Sequence, residues 1–156
     1  PNFTVETFWH DELVVVVPSD HPWSTSQSIS FSELASETLI TREQGSGTRK
    51  VMELALARSG FNHQDLNIRL ELGSTQAIKQ AVRCHMGVAV ISALTVQEEC
   101  RLRQMTALRV KDCSFARALS ILTHTKGNLT ADEESFLLLL RNRKKLSEIL
   151  PKPIIP

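Results

Sequence analysis

No apolar run in this chain of 156 residues reaches the ~18 that a membrane-spanning helix requires. No secretory signal pattern opens it, and its first residue is Pro1 rather than Met, which reads as a fragment or a processed piece. Cysteine is scarce: Cys84, Cys100 and Cys113 are odd in number and widely spaced, which excludes a disulfide framework and a zinc pattern. A reducing, cytoplasmic compartment is the simplest expectation. No His or basic cluster marks any of the three as a reactive thiol, so they read as ordinary small residues. Charge of one sign is lacking as well. The 18 Lys and Arg nearly balance the 17 Asp and Glu, and a net charge of +1 gives no argument for nucleic-acid binding by this chain.

Signatures of catalysis are equally thin. The Gly45-Ser46-Gly47-Thr48 loop lacks the lysine of a P-loop and the spacing of a dinucleotide fingerprint. There is no Gly-x-Ser-x-Gly elbow and no His-x-x-Glu metal pair. His10-Asp11-Glu12 has the residue types of a metal or catalytic cluster, but neighbours in an extended segment point to opposite faces and do not converge. His21 precedes Pro22 and reads as a turn residue, while His63 and His124 stand alone. The expectation is no catalytic residue, no metal and no cofactor. No repeat or low-complexity segment is present.

What the chain does have is a run of strand and helix signals. An apolar fraction of 42% and a charged fraction of 22% suit a soluble globular protein with a real core. Phe3, Val5, Thr7 and Trp9 alternate with polar residues, which suits an edge strand or an extended lead-in. Leu13-Val14-Val15-Val16-Val17, stopped by Pro18, reads as a strand buried on both faces. Ser30 to Glu33 forms a capping box, predicting one or two helical turns. Thr38–Thr41 reads as a short strand, and Ser46 is placed to cap a helix from about Gly47 to Ser59, stopped by Gly60.

Leu66 to Leu72 alternates as a strand, and Ser74 is placed to cap an amphipathic helix from Thr75 to about Cys84, with Ala77, Ile78, Ala81 and Val82 on one face. Gly87 to Ile91 is another buried strand, and Ser92 can cap a helix through Cys100. Ala107–Val110 and Arg117–Thr123 read as strands. A second capping box, Thr130 to Glu133, opens a helix whose last turns are basic (Arg141, Arg143, Lys144, Lys145), and Pro151 to Pro156 reads as a tail.

Strands alternating with helices predict an α/β fold with a parallel sheet covered by helices. Ligands of such sheets sit beyond the carboxyl ends of the strands, where Ser46, Ser74 and Ser92 all fall. A helix start presents unsatisfied N–H groups and a positive dipole end, so it can hold an anion if it faces a cleft. The loop around Ser46 reads either as a backbone-lined anion site or as plain turn-and-cap chemistry. Arg42 or Arg49 either neutralises an anion there or is a solvated surface charge.

In their order and spacing, three segments resemble the effector-binding domain of LysR-type transcriptional regulators. They are Asp11 to Pro18 followed by His21-Pro22; Arg42-Glu43-Gln44-Gly45-Ser46-Gly47-Thr48-Arg49; and Leu72-Gly73-Ser74 through Val82 to Gly87-Val88-Ala89-Val90-Ile91-Ser92. The resemblance implies a periplasmic-binding-protein-like fold, two α/β lobes joined by two crossing strands (Leu13–Val17 and Arg117–Thr123). Residues 22–112 would be the second lobe, and 1–21 with 113–156 the remainder of a first lobe that is incomplete in this chain.

The resemblance places effector contacts at Thr41, Arg42, Gln44, Ser46, Ser74 and Thr75. The Arg-Glu-x-Gly-Ser-Gly-Thr-Arg wording is similar to members controlling carbon fixation or sulfur assimilation. It implies a small anionic effector: a phosphorylated metabolite, an inorganic anion or a carboxylate. It further implies self-association as a homodimer or tetramer, no membrane, and operator DNA reached only through an N-terminal helix-turn-helix domain that has no counterpart here. One departure is His85-Met86-Gly87, where the family usually has Gly-x-Gly. Two alternatives stay open: a solute-binding protein of a transporter, which shares the fold, and an enzyme such as a Cys-dependent hydrolase.

Overall fold

Sixteen residues, Phe3–Pro18, form one unbroken strand, β1. The sequence suggests two extended pieces here; the backbone carries the strand straight through His10-Asp11-Glu12. The computed structural model describes residues 2–150, so the expected tail at Pro151 to Pro156 lies outside the described residues. The other strands are β2 (Ser28–Ile29), β3 (Leu39–Arg42), β4 (Ile68–Leu72), β5 (Val88–Ser92), β6 (Met105–Val110) and β7 (Ala116–His124). The helices are α1 (Phe31–Ser36), α2 (Gly47–Arg58), α3 (Thr75–Arg83), α4 (Gln97–Arg101), α5 (Ala131–Arg141) and α6 (Arg143–Ile149). The chain divides into two units, Glu12–Ala116 and a smaller one holding the residues up to Asp11 with those from Arg117 onward.

In the larger unit the strand order is β2-β6-β1-β5-β3-β4. β3 pairs parallel with β4 and β5, β2 pairs parallel with β6, and β1 runs antiparallel to both β5 and β6. The sheet is therefore mixed, which corrects the all-parallel expectation. The handedness and direction rules for β-α-β units bind only strands joined by a crossover. β1 enters from the other unit and is free of that constraint.

The expectation that Leu13–Val17 is buried on both faces holds. Leu13, Val15 and Val17 pack with Leu34 of α1 and Met52 and Leu56 of α2, while Val14 and Val16 pack with Ile78 and Val82 of α3 and with Val96. Alternate side chains of one strand thus build two separate cores. Five strands point the same way, so the carboxyl ends of β3, β4 and β5 lie together at one edge, beside the start of the Leu13–Val17 run.

Several ends differ from the sequence reading. Ser92 caps a single 3-10 turn (Ala93–Thr95) rather than a helix reaching Cys100; the chain breaks at the fully buried Val96 before α4 begins. The last predicted helix is two helices, because Asn142 ends α5 and its side chain accepts the Lys145 N–H to start α6. α3 closes with the Cys84 region in a Schellman motif: the His85 N–H bonds to the Val82 carbonyl and the Met86 N–H to that of Ala81. His85 therefore takes a left-handed φ of 58°, a position that favours glycine.

The smaller unit pairs β7 with the first part of β1 and adds α5 and α6. Thr4 and Thr123 hydroxyls meet at 2.8 Å across the two strands. Among its described residues only Asp11, Leu137 and Leu146 are buried.

Candidate functional site

β3 ends at Arg42 and β4 at Leu72, in register beside one another, with Thr41 opposite Glu71. Each strand then turns into a helix within a few residues, so the starts of α2 and α3 are neighbours. After Arg42 the Ser46 N–H bonds back to the Glu43 carbonyl at 3.2 Å, closing a four-residue turn. Gly45, the third residue, has φ of 88°, which a type II turn demands and which a side chain resists.

Local chemistry separates the two helix starts. Ser74 caps α3 through its hydroxyl, which accepts the Ala77 N–H at 3.4 Å. Ser46 occupies the corresponding position of α2 but makes no side-chain cap, which corrects the sequence expectation. Its φ, ψ of −63°, 132° are those of a cap residue, yet the hydroxyl accepts no bond from the first-turn N–H groups.

Neither α2 nor α3 has an acidic residue in its first turn, whereas α1 carries Glu33, α4 carries Glu98 and Glu99, and α5 carries three acidic residues there. The positive ends of α2 and α3, like that of α6, are left without the first-turn carboxylates that α1, α4 and α5 carry.

All six residues that the resemblance marks lie at this edge of the larger unit. Thr41 is buried at the end of β3, Gln44 is exposed in the turn, Ser46 is buried, Ser74 caps α3 and Thr75 opens it. Arg42 reaches across to α3, where its Nη1 donates to the Thr75 hydroxyl at 3.4 Å. The remainder of its guanidinium is taken by its sequence neighbour: Nε and Nη2 donate to Glu43 Oε2 and Oε1 at 2.8 and 2.9 Å. That fork holds the Glu43 carboxyl below its usual range, with a bond from its own backbone N–H adding to the effect.

Arg49 is not a surface charge. Its side chain is only 10% exposed, and it donates to Glu53 at 2.8 Å, to Glu71 at 2.6 Å and to the Arg42 carbonyl at 3.3 Å. It thereby ties α2 to the ends of β3 and β4. Sequence reasoning missed both carboxylates as partners. The Arg49–Glu53 spacing of four is a usable signal; the Glu71 contact depends on strand pairing and has none.

The arrangement can present hydroxyls and helix N–H groups to an oxyanion. Among the described residues, the hydroxyls of Thr41, Ser46, Ser74 and Thr75 bond to no histidine or carboxylate, so they include no activated nucleophile. A cavity of about 510 Å3 lies elsewhere in the same unit, lined by Glu12, Ser28, Arg109, Cys113 and Phe115 among others, and contains none of the six.

His10-Asp11-Glu12 disperses as its extended backbone requires: Asp11 Oδ2 accepts from Arg117 and Glu12 pairs with Arg109. His21 caps a 3-10 turn by accepting the Trp23 N–H. Burial, then the charge of Glu99, pushes the Cys100 thiol up to about 11, away from thiolate character. No group of three or more His, Cys, Asp or Glu suited to a metal occurs among the described residues.

Comparison with known proteins places this geometry. The family described as the LysR substrate binding domain matches residues 1–145. The HTH-type transcriptional regulator CysL of Bacillus subtilis is 30% identical over 138 residues, covering 88% of this chain and 45% of that protein. The RuBisCO operon transcriptional regulator of Allochromatium vinosum is 38% identical over 106 residues, covering 68% of this chain and 34% of that protein. The regulatory domain of Synechocystis PCC6803 CcmR, solved in complex with 2-PG, superposes with a TM-score of 0.77 at 31% identity, covering 90% of this chain and 66% of that one. The chain spans less than half the length of the two curated relatives. Its α/β architecture is the periplasmic-binding-protein-like fold of these regulatory domains. With a family match running from its first residue to residue 145, the chain belongs to the LysR substrate-binding domain family.

Proposed function

We propose that this chain is the effector-sensing part of a LysR-type transcription regulator, and that a small anion binds where α2 and α3 begin. Thr41, Arg42, Gln44, Ser46, Ser74 and Thr75 are its contacts. The observation that carries the reading is the pair of adjacent helix starts, both free of first-turn carboxylates, at the carboxyl ends of β3 and β4. Support comes from the CcmR regulatory domain, 31% identical, which was solved with 2-phosphoglycolate, a phosphorylated carboxylate. The effector class is a phosphorylated metabolite, an inorganic anion or a carboxylate.

The same proposal takes residues 22–112 as the second lobe, with 1–21 and 113–156 as part of the first. Binding favours one lobe arrangement by its differential affinity for the two. A homodimer or tetramer relays it to an N-terminal helix-turn-helix domain, which contacts operator DNA in the cytoplasm. No helix among the described residues is long and apolar enough to cross a membrane. The relatives are transcription regulators, which favours this reading over a transporter's solute-binding protein or a Cys-dependent hydrolase.

The test is a thermal-shift screen of the full-length protein with sulfate, phosphate, 2-phosphoglycolate and small carboxylates, followed by calorimetry on any hit. A bound anion raises the melting temperature by mass action. Thr41→Val should weaken the hit by about 1–3 kcal/mol, the cost of a charged acceptor losing its donor. If no anion shifts the melt, or the variant binds as tightly as the parent, the site assignment fails.

A further inference from the structure

Arg42 is the one cationic side chain among the six proposed contacts, and each of its three guanidinium nitrogens already donates a bond within the protein. Nε and Nη2, the edge that would grip a planar or tetrahedral oxyanion with two parallel bonds, hold both oxygens of Glu43 at 2.8 and 2.9 Å. Nη1 faces Thr75. The pairing is local in origin. Within a strand, consecutive side chains diverge, but Glu43 is the first residue beyond β3 and its carbonyl is fixed by the Ser46 N–H. The turn therefore brings the Glu43 carboxylate alongside the guanidinium that precedes it.

Exposure shows which partner can leave. The Arg42 side chain is 21% exposed and that of Glu43 is 42% exposed. Glu43 can swing into water at small cost, whereas Arg42 is held between β3 and α3. Arg49 is poorly placed to serve instead, because its side chain is only 10% exposed and Glu53 and Glu71 already neutralise it.

We propose that Glu43 is a built-in competitor for the effector: its carboxylate occupies the Arg42 fork in the free protein, and an incoming anion binds by displacing it. This rests on the anion-site reading given above and adds its regulation. Displacement selects for ligands that offer two oxygens to the fork and carry more charge than a single carboxylate, since a lone monocarboxylate gains only what Glu43 gives up. A phosphate dianion or a phosphorylated carboxylate meets both demands. The exchange also sets a threshold, because apparent affinity is the intrinsic affinity scaled by the fraction of molecules in which the fork is open.

A double-mutant cycle on the full-length protein tests it, with inorganic phosphate and 2-phosphoglycolate as probes in calorimetric titrations. Glu43→Gln should tighten binding of both by about tenfold, while Arg42→Gln should weaken it. The decisive arm is the double variant. If Glu43 acts by occupying Arg42, the gain vanishes once Arg42 is gone. A gain of the same size in the Arg42→Gln background means Glu43 only repels anions through space, and overturns the proposal. Unchanged affinity in Glu43→Gln, with the parent protein binding normally, overturns it while leaving the anion site standing. Failure of both probes to bind the parent and Glu43→Gln overturns this proposal, and the anion site falls with it if sulfate and the small carboxylates fail as well. Glu43→Ala, run in parallel with thermal melts, guards against a variant that misfolds.

Discussion

Arg49 Nη1 lies 2.6 Å from Glu71 Oε1, joining the first turn of α2 to the end of β4. The contact spans the two strand–helix turns that carry the candidate site. Because Arg49 also holds Glu53 and the Arg42 carbonyl, one buried guanidinium ties the start of α2 to the ends of both β3 and β4. Arg49→Met keeps much of the packing volume and removes all three bonds. It should destabilise the fold by about 2 kcal/mol, the range for hydrogen bonds to charged groups whose partners retain some solvent. Urea denaturation of the variant against the parent measures this, and an unchanged midpoint would show that the contact does not bear on stability.

The two serines at the helix starts should respond differently to the same change. Ser74→Ala removes the cap on the Ala77 N–H and should cost roughly 0.5–1 kcal/mol of stability. Ser46→Ala removes no cap and should stay within about 0.5 kcal/mol of the parent. Both should weaken an anion bound at the site. Melting curves and anion titrations on the same two variants separate capping from ligand contact; equal stability losses would contradict the geometry.

Two positions in the turn after α3 have opposite requirements. A Cβ on Gly87 would sit 2.5 Å from the Thr38 carbonyl oxygen, which is fixed because it accepts the Val88 N–H. Gly87→Ala should cost roughly 2–4 kcal/mol, since backbone must move to relieve the overlap. His85 holds a left-handed φ of 58°, and its 3.7 Å approach to Asp20 is between largely exposed side chains that contribute little. His85→Gly should gain up to about 1 kcal/mol. Calorimetric melts of the two variants should move in opposite directions.

Acid sensitivity has a specific contributor in α1. The Ser30 N–H and then its hydroxyl bond to the charged form of Glu33, holding that carboxyl below its ordinary value of 4.5. A depressed carboxyl contributes stability that is complete above the unfolded-state value and disappears as pH falls through the lower folded value. Glu33→Gln keeps an oxygen acceptor for the capping box but does not titrate. Melting temperature should therefore fall less steeply below about pH 4.5 in the variant than in the parent. Parallel slopes would rule the capping box out as a titrating element.

How much of the site was readable from residues alone depends on the range of each interaction. The capping boxes at Ser30 and Thr130 and the cap at Ser74 involve groups three residues apart, and all are formed. The strand-to-helix turns at Arg42–Gly47 and Leu72–Thr75 were legible for the same reason. Ser46 was misjudged because the residue type permits a cap without enforcing the rotamer that makes one. The break at Val96 was missed because it depends on burial of that side chain in the core with Ile78 and Val82, and the split at Asn142 because an asparagine permits a cap without enforcing one.

Sequence by itself determined the short-range features: most of the strand and helix segments, the double-sided burial of Leu13–Val17, and a tight Gly45-containing turn between β3 and α2 flanked by the hydroxyls of Thr41, Ser46 and Thr48. Those rest on side-chain period, cap chemistry and glycine conformations, all written within a few residues. Tertiary structure alone decided that β1 runs against the other five strands of the larger unit, that Arg49 is buried between Glu53 and Glu71, and which helix starts stand side by side. Strand direction and order bring together residues tens of positions apart, as with Arg42 and Thr75, and no local pattern encodes that pairing.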